Sequence, residues 1–137
     1  KMKYLILLLI SFNVSADGYN WKVIKVLDGD TVKFEAPWVP KPLKPEISVR
    51  VLGIDTPEKK PRNKCDAEDA LAQKASQFTK DKIANAKSIK VELTDWDKYG
   101  GRVLGNVIID DKLLSDELIS NGLARPYFGE KKSSWCE

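Results

Sequence analysis

The chain has 137 residues, 42% hydrophobic and 31% charged, with a formal net charge of +3. That suits one domain with a real core, not two, and it excludes a collagen, a coiled coil or a long disordered segment. There is no histidine, so hydrolysis through a Ser-His-Asp triad, a Cys-His pair or a histidine general base is excluded.

Lys3 precedes an apolar run from Tyr4 to Phe12, and Val14-Ser15-Ala16 has the small residues of a cleavage site. This is the three-part pattern of a secretory signal peptide over residues 1–16, and the run is well short of the ~20 residues a membrane span needs. The alternative is a buried first strand or helix. The expectation is a single domain over 17–137, secreted or periplasmic, with no membrane anchor once the signal is removed. Losing Lys1 and Lys3 and no acid would lower the formal charge from +3 to +1. Attraction to a polyanion must then be local, and the candidate is Lys59-Lys60-Pro61-Arg62-Asn63-Lys64, with Lys41 and Lys44 as a second source. A solvated loop is the plainer use of such a run. Two cysteines, Cys65 and Cys136, suit an exported protein with one disulfide between them; the alternative is two free buried thiols.

Trp21 to Leu27 is rich in β-branched residues and predicts a first strand. Asp28-Gly29 is a tight-turn signal, and Thr31 to Glu35 alternates as a second strand. Residues 36–46 carry prolines at 37, 40, 42 and 45 and predict a loop or sheet-edge excursion, because proline lacks the donor a ladder needs. Ile47 to Ile54 predicts the third strand, and 59–64 a loop. Asp66 is a plausible N-cap, with Glu68 and Asp69 in a first turn whose dipole favours acids. Leu71, Ala75, Phe78 and Lys82 share a face, with Ala67, Ala70 and Ile83 close by, so an amphipathic helix is expected to about Asn85. Ser88 to Thr94 and Arg102 to Ile109 predict strands four and five around a turn at 95–101. Ser115 is expected to cap a short helix that stops at Gly122, and the remainder reads as irregular. Five strands with a helix between the third and fourth is the layout of an OB-type barrel, an α+β fold that is mainly β.

Asp30 begins the second strand and Asp55 ends the third. If these pair antiparallel, the two carboxylates converge at one end of the hairpin, with Thr56 and Glu58 just beyond. Carboxylates with a backbone carbonyl and waters suit Ca²⁺; Mg²⁺ is possible on ligand type, and zinc lacks a nitrogen or sulfur donor. Arg50 and Asp55 are five apart, so in a regular strand they face opposite ways about 16 Å apart. Both can serve one site only if the strand bends, and Gly53 is a reasonable place for that.

Asp28-Gly29-Asp30-Thr31, the run from Arg50 to Glu58, and Asp97-Lys98-Tyr99-Gly100-Gly101-Arg102 together resemble the staphylococcal nuclease (thermonuclease-like) family, from about Trp21 to Tyr127. The segment Leu114 to Tyr127, with Asn121-Gly122-Leu123-Ala124, extends the resemblance. It implies an OB barrel that cuts DNA and RNA with one Ca²⁺ per chain. Asp30 and Asp55 would be metal ligands through their side chains and Thr56 through its carbonyl, with Asp28 holding metal-bound water. Glu58 would be the general base, or would position the attacking water, and Arg50 and Arg102 would grip the scissile phosphate. Lys98, Tyr99 and Tyr127 would line the nucleotide site. The expected partners are DNA and RNA, single strands preferred, and the expected state is a monomer. The chain departs from the family pattern at Gly101, an extra glycine ahead of Arg102, in the longer proline-rich loop 36–46, and in a short tail ending Trp135-Cys136 where a long helix would be. The competing reading is an OB domain of the same family that holds nucleic acid without cutting it, although such domains lose the carboxylates or arginines that are present here.

Overall fold

The computed structural model describes residues 18–98 and 101–136, so the expected signal segment 1–16 lies outside the described residues. Strand β1 (Val23–Asp28) pairs antiparallel with β2 (Thr31–Glu35), and β2 pairs antiparallel with β3 (Glu46–Val51). The proline-rich loop between β2 and β3 is closed at its base by Ala36 N–H donating to the Pro45 carbonyl at 2.8 Å. The third strand was expected to run to Ile54, but it ends at Val51. Gly53 takes φ +80°, a left-handed conformation that L side chains rarely adopt, and turns the chain out of the sheet into β4 (Ile54–Asp55). The bend required for Arg50 and Asp55 to share one site is therefore present.

Helix α1 (Asp66–Ala84) leads into β5 (Ile89–Trp96), which pairs antiparallel with β6 (Val103–Ile109); a hairpin adds β7 (Lys112–Leu113) to β6. Helix α2 (Leu114–Ser120) follows, and β8 (Arg125–Pro126) returns to pair with β4. Strand β6 also runs parallel to β3, which gives the order β1-β2-β3-β6-β5. The outer strands β1 and β5 do not pair with each other; Tyr19 and Val91 exchange main-chain hydrogen bonds of 2.7 and 2.9 Å across that gap. The fold is thus mainly β with two helices, an OB-type sheet that curls without complete closure, as expected from the element order.

Alternation along β6 puts Val103, Gly105, Val107 and Ile109 inside. They join Val32 and Phe34 of β2, Val49 and Val51 of β3, Val91, and Leu114 and Leu118 of α2 in or beside one core. The buried face of α1 differs from the expected one. It presents Glu68, Ala72, Ala75, Ser76 and Thr79, while Ala67 and Ala70 are exposed and Leu71, Phe78 and Ile83 lie on the margin of the core. The reason is a close approach. The turn at Gly29 passes over Ala75, and the Thr79 hydroxyl donates to the Gly29 carbonyl at 2.8 Å, so only small and hydrogen-bonding side chains fit beneath it.

Both predicted helix caps also shift. Cys65, not Asp66, caps α1: its sulfur accepts from Glu68 N–H at 3.4 Å. Leu113 precedes α2 without a side-chain cap, and Ser115 is buried inside that helix. Strand β5 runs two residues past the expected Thr94, across a bulge between Leu93 and Asp95.

Two features tie the loop at 58–64 to this frame. Glu68, 5% exposed, accepts from the backbone N–H of Glu58 at 3.0 Å through one oxygen and of Lys64 at 2.8 Å through the other. Cys65, at the start of α1, is joined to Cys136 by a disulfide that fastens the C-terminal tail to the same place.

A methyl group at Gly29 would stand 2.8 Å from the Ala75 methyl. Gly29→Ala is therefore expected to destabilise the fold by about 1–3 kcal/mol, as overpacking does, read as a lower denaturation midpoint at unchanged m-value. Glu68→Gln keeps the shape but can accept on one oxygen only. It should cost about 1–2 kcal/mol and speed hydrogen exchange at the Glu58 and Lys64 amides; unchanged protection there would mean the loop does not depend on this carboxylate. Reducing the disulfide removes a constraint spanning 71 residues, and the expected loss of stability has a ceiling of about 4 kcal/mol.

Candidate active site

The site forms where the β1–β2 turn meets the end of β3. Asp30 closes the turn, and its carbonyl accepts from Val51 N–H at 2.7 Å, which fixes the turn against the strand end. Thr31 lies opposite Arg50 in the β2–β3 register, and its hydroxyl donates to Asp30 Oδ1 at 3.0 Å. Arg50 Nε stands 3.7 Å from Asp30 Oδ2, and Arg50 Nη2 donates to the Ile54 carbonyl at 3.3 Å. The left-handed turn at Gly53 is what returns Ile54, and with it Asp55 and Thr56, to the arginine. Asp30, Asp55 and Thr56 are all buried.

Glu58 follows, with Arg62 Nε 3.7 Å from its Oε2. Burial pushes the Glu58 carboxyl above its usual range; the charge of Arg62 opposes the rise, Asp30 adds to it, Lys132 opposes it and Asp28 adds to it. Asp28, Asp30 and Lys132 thus all lie within electrostatic reach of Glu58. Lys59 crosses from this loop to the turn: its ammonium lies 3.6 Å from Asp28 Oδ1 and donates to the Leu27 carbonyl at 3.2 Å.

The tail supplies the remaining wall. Lys132 Nζ lies 3.3 Å from Asp55 Oδ1, and Trp135 Nε1–H donates to Asp55 Oδ2 at 3.0 Å. Arg125, opposite Asp55 in the β4–β8 pair, stacks its guanidinium 3.8 Å from the Trp135 ring and donates to the Ser134 carbonyl at 2.8 Å. Between the tail and the loop at 58–64 opens a cleft of about 680 Å³, bordered by Asp55, Thr56, Glu58, Arg62, Lys64 and the residues from Lys131 to Trp135.

The structure therefore brings Asp28, Asp30, Arg50, Asp55, Thr56 and Glu58 to one end of the sheet. Arg102 is held differently. It sits at the foot of β6, two positions before Leu104, which pairs with Arg50. Its Nε and Nη2 both contact Asp97 Oδ2, at 2.9 and 2.7 Å, and Asp97 is buried. Lys98 lies in the turn after β5, and Tyr99 lies outside the described residues. Tyr127 is on the tail side, its N–H donating to the Gly53 carbonyl at 2.8 Å and its ring 5.2 Å from Lys132 Nζ.

Among the described residues, no group of three or more histidine, cysteine, aspartate or glutamate side chains is placed to hold a metal ion. Two buried carboxylates and a neighbouring carbonyl are nonetheless an all-oxygen set. It fits a hard divalent cation completed by water, and not a metal that needs nitrogen or sulfur. The protein balances each carboxylate with a cation of its own, Arg50 on Asp30 and Lys132 on Asp55. Reading the sequence alone missed Glu68, taken there as a helix-dipole acid, and missed Lys132, Arg125 and Trp135. The available signal was Trp135 beside a cysteine expected to pair with the helix start.

Residues 48–135 match the family described as staphylococcal nuclease homologue. The chain is 34% identical to a thermonuclease of Staphylococcus hyicus over 116 residues, 83% of this chain and 63% of that protein. It is 35% identical to endonuclease YncB of Bacillus subtilis (strain 168) over 109 residues, 77% of this chain and 47% of that protein. The chain thus spans between about half and just under two-thirds of the length of these curated relatives. With the family match covering well over half of the chain and the hairpin-end geometry described above, the chain belongs to the staphylococcal nuclease homologue family.

Proposed function

We propose that this chain is an exported, Ca²⁺-dependent nuclease that hydrolyses phosphodiester bonds in DNA and RNA. The observation that carries the reading is the meeting of two buried carboxylates, an arginine and a glutamate of raised pKa at one hairpin end. The relatives are named as a thermonuclease and an endonuclease, which supports the same chemistry here.

Asp30 and Asp55 would hold the cation through their carboxylates and Thr56 through its carbonyl, with Asp28 orienting water beside it. Bound there, Ca²⁺ would offset phosphate charge and make a bound water more acidic. Glu58 takes the proton of the attacking water; burial raises its pKa, and a more basic carboxylate is a better proton acceptor. Arg50 stabilises the negative charge that develops on the five-coordinate phosphorus, and Arg102 does so from the adjacent strand. Asp97 engages Nε and Nη2 of Arg102, which leaves Nη1 to donate to a phosphate oxygen. Lys98, Tyr99 and Tyr127 line the nucleotide. Single strands are the preferred substrate, the protein acts as a monomer, and residues 1–16 direct export to the periplasm or the medium.

Cleavage of single-stranded DNA and RNA is expected in Ca²⁺ and absent in excess chelator; full activity in chelator would sink the mechanism. Arg102→Ala and Glu58→Gln should each lower turnover by roughly two orders of magnitude or more, while Asp30→Asn weakens Ca²⁺ binding. Binding of nucleic acid with no cleavage under any of these conditions would mark a binding domain instead.

A further inference from the structure

The two tail groups on Asp55 differ in kind. Trp135 is held in place: its ring lies against the Arg125 guanidinium, and the next residue is bonded to Cys65. Lys132 sits on a flexible stem, its side chain 47% exposed, against the face of Tyr127 and within electrostatic reach of Glu58. A divalent cation on Asp55 would repel an ammonium 3.3 Å from the same carboxylate, so the two compete for one position. The acids bordering the cleft offer the displaced ammonium little. Glu68 already accepts two backbone N–H groups, and Glu58 faces Arg62. The remaining charges there are Arg62, Lys64 and Lys131, a positive rim that an incoming anion would neutralise.

We propose that Lys132 is a tethered counter-ion that exchanges partners. It neutralises Asp55 in the free protein and passes to a phosphate of the bound strand when the cation takes Asp55. Arg62, Lys64 and Lys131 complete this phosphate-binding subsite beside the reaction centre. The disulfide is what makes the subsite, because it holds the tail lysines against the basic loop that precedes Cys65. The proposal rests on the nuclease reading and deepens it.

Lys132→Met keeps the apolar stem and removes the charge. Calorimetric titration of the disulfide-bonded chain with Ca²⁺, without nucleic acid, should show binding about two- to fivefold tighter than in the parent, the scale of a partly exposed ion pair. Nucleic-acid binding is read separately, by fluorescence anisotropy of a labelled single-stranded oligonucleotide on a Glu58→Gln background in saturating Ca²⁺. There Lys132→Met should weaken binding and make the slope of log affinity against log salt shallower by ~0.7, one phosphate contact on a single strand. Lys131→Met should weaken oligonucleotide binding and leave Ca²⁺ affinity unchanged. Unchanged or weaker Ca²⁺ binding in Lys132→Met overturns the exchange, and so does an unchanged salt slope. Intact oligonucleotide binding that ignores Lys132→Met leaves the nuclease reading standing. Failure of the Glu58→Gln protein to bind any oligonucleotide at low salt removes that reading and the exchange together.

Discussion

Two carboxylates buried at one end of a β-hairpin set the terms for everything around them. Burying a charged carboxylate is costly unless it is paired or hydrogen-bonded. Asp30 is compensated from within the hairpin, by the Thr31 hydroxyl and Arg50. Asp55 has no such neighbour on its own strand, and its compensation comes from the far end of the chain, through Lys132 and Trp135. The β4–β8 pair, the Arg125–Trp135 stack and the disulfide each help keep the tail over that carboxylate.

Helix α1 is the platform on which the site is assembled. Its N-terminus carries the cysteine that fastens the tail and the glutamate that grips both ends of the loop at 58–64. Its middle holds the Asp28–Asp30 turn from below through Thr79. A helix used in this way cannot present a uniformly apolar face. Its buried side is therefore small and polar at the site, and its larger apolar residues lie at the margin of the core. Polar contacts of this kind are directional, so they fix where the carboxylates stand more tightly than apolar packing would.

The charge distribution has the same logic. A net charge of +3 gives little long-range attraction for a polyanion, so the local placement of basic residues matters, and four of them border the cleft. The loop supplies Arg62 and Lys64, the tail supplies Lys131 and Lys132, and one covalent bond brings the two segments together. Residues 131–135 form a strap, stapled through Cys136, that reaches the site itself.

The sequence by itself was enough for the order of the five main strands and two helices, the antiparallel β2–β3 hairpin with Asp30 and Asp55 near one end, and the need for a bend at Gly53, but not for the short strands β4, β7 and β8. These are local: alternation, turn residues and a left-handed glycine act over a few positions, and the physics that sets them is written in neighbouring residues. Pairing of the two cysteines was also within reach, because two cysteines allow one pairing. What the tertiary structure alone decided is long-range. The roll of α1 away from its apolar periodicity depends on the turn at Gly29 passing over Ala75, and nothing in the helix sequence announces that approach. The binding of Arg102 to Asp97, and of Lys132 and Trp135 to Asp55, depends on which charges burial leaves uncompensated once the sheet has formed. That balance is a property of the whole packed molecule, where the dielectric is low and partners lie up to 80 residues apart.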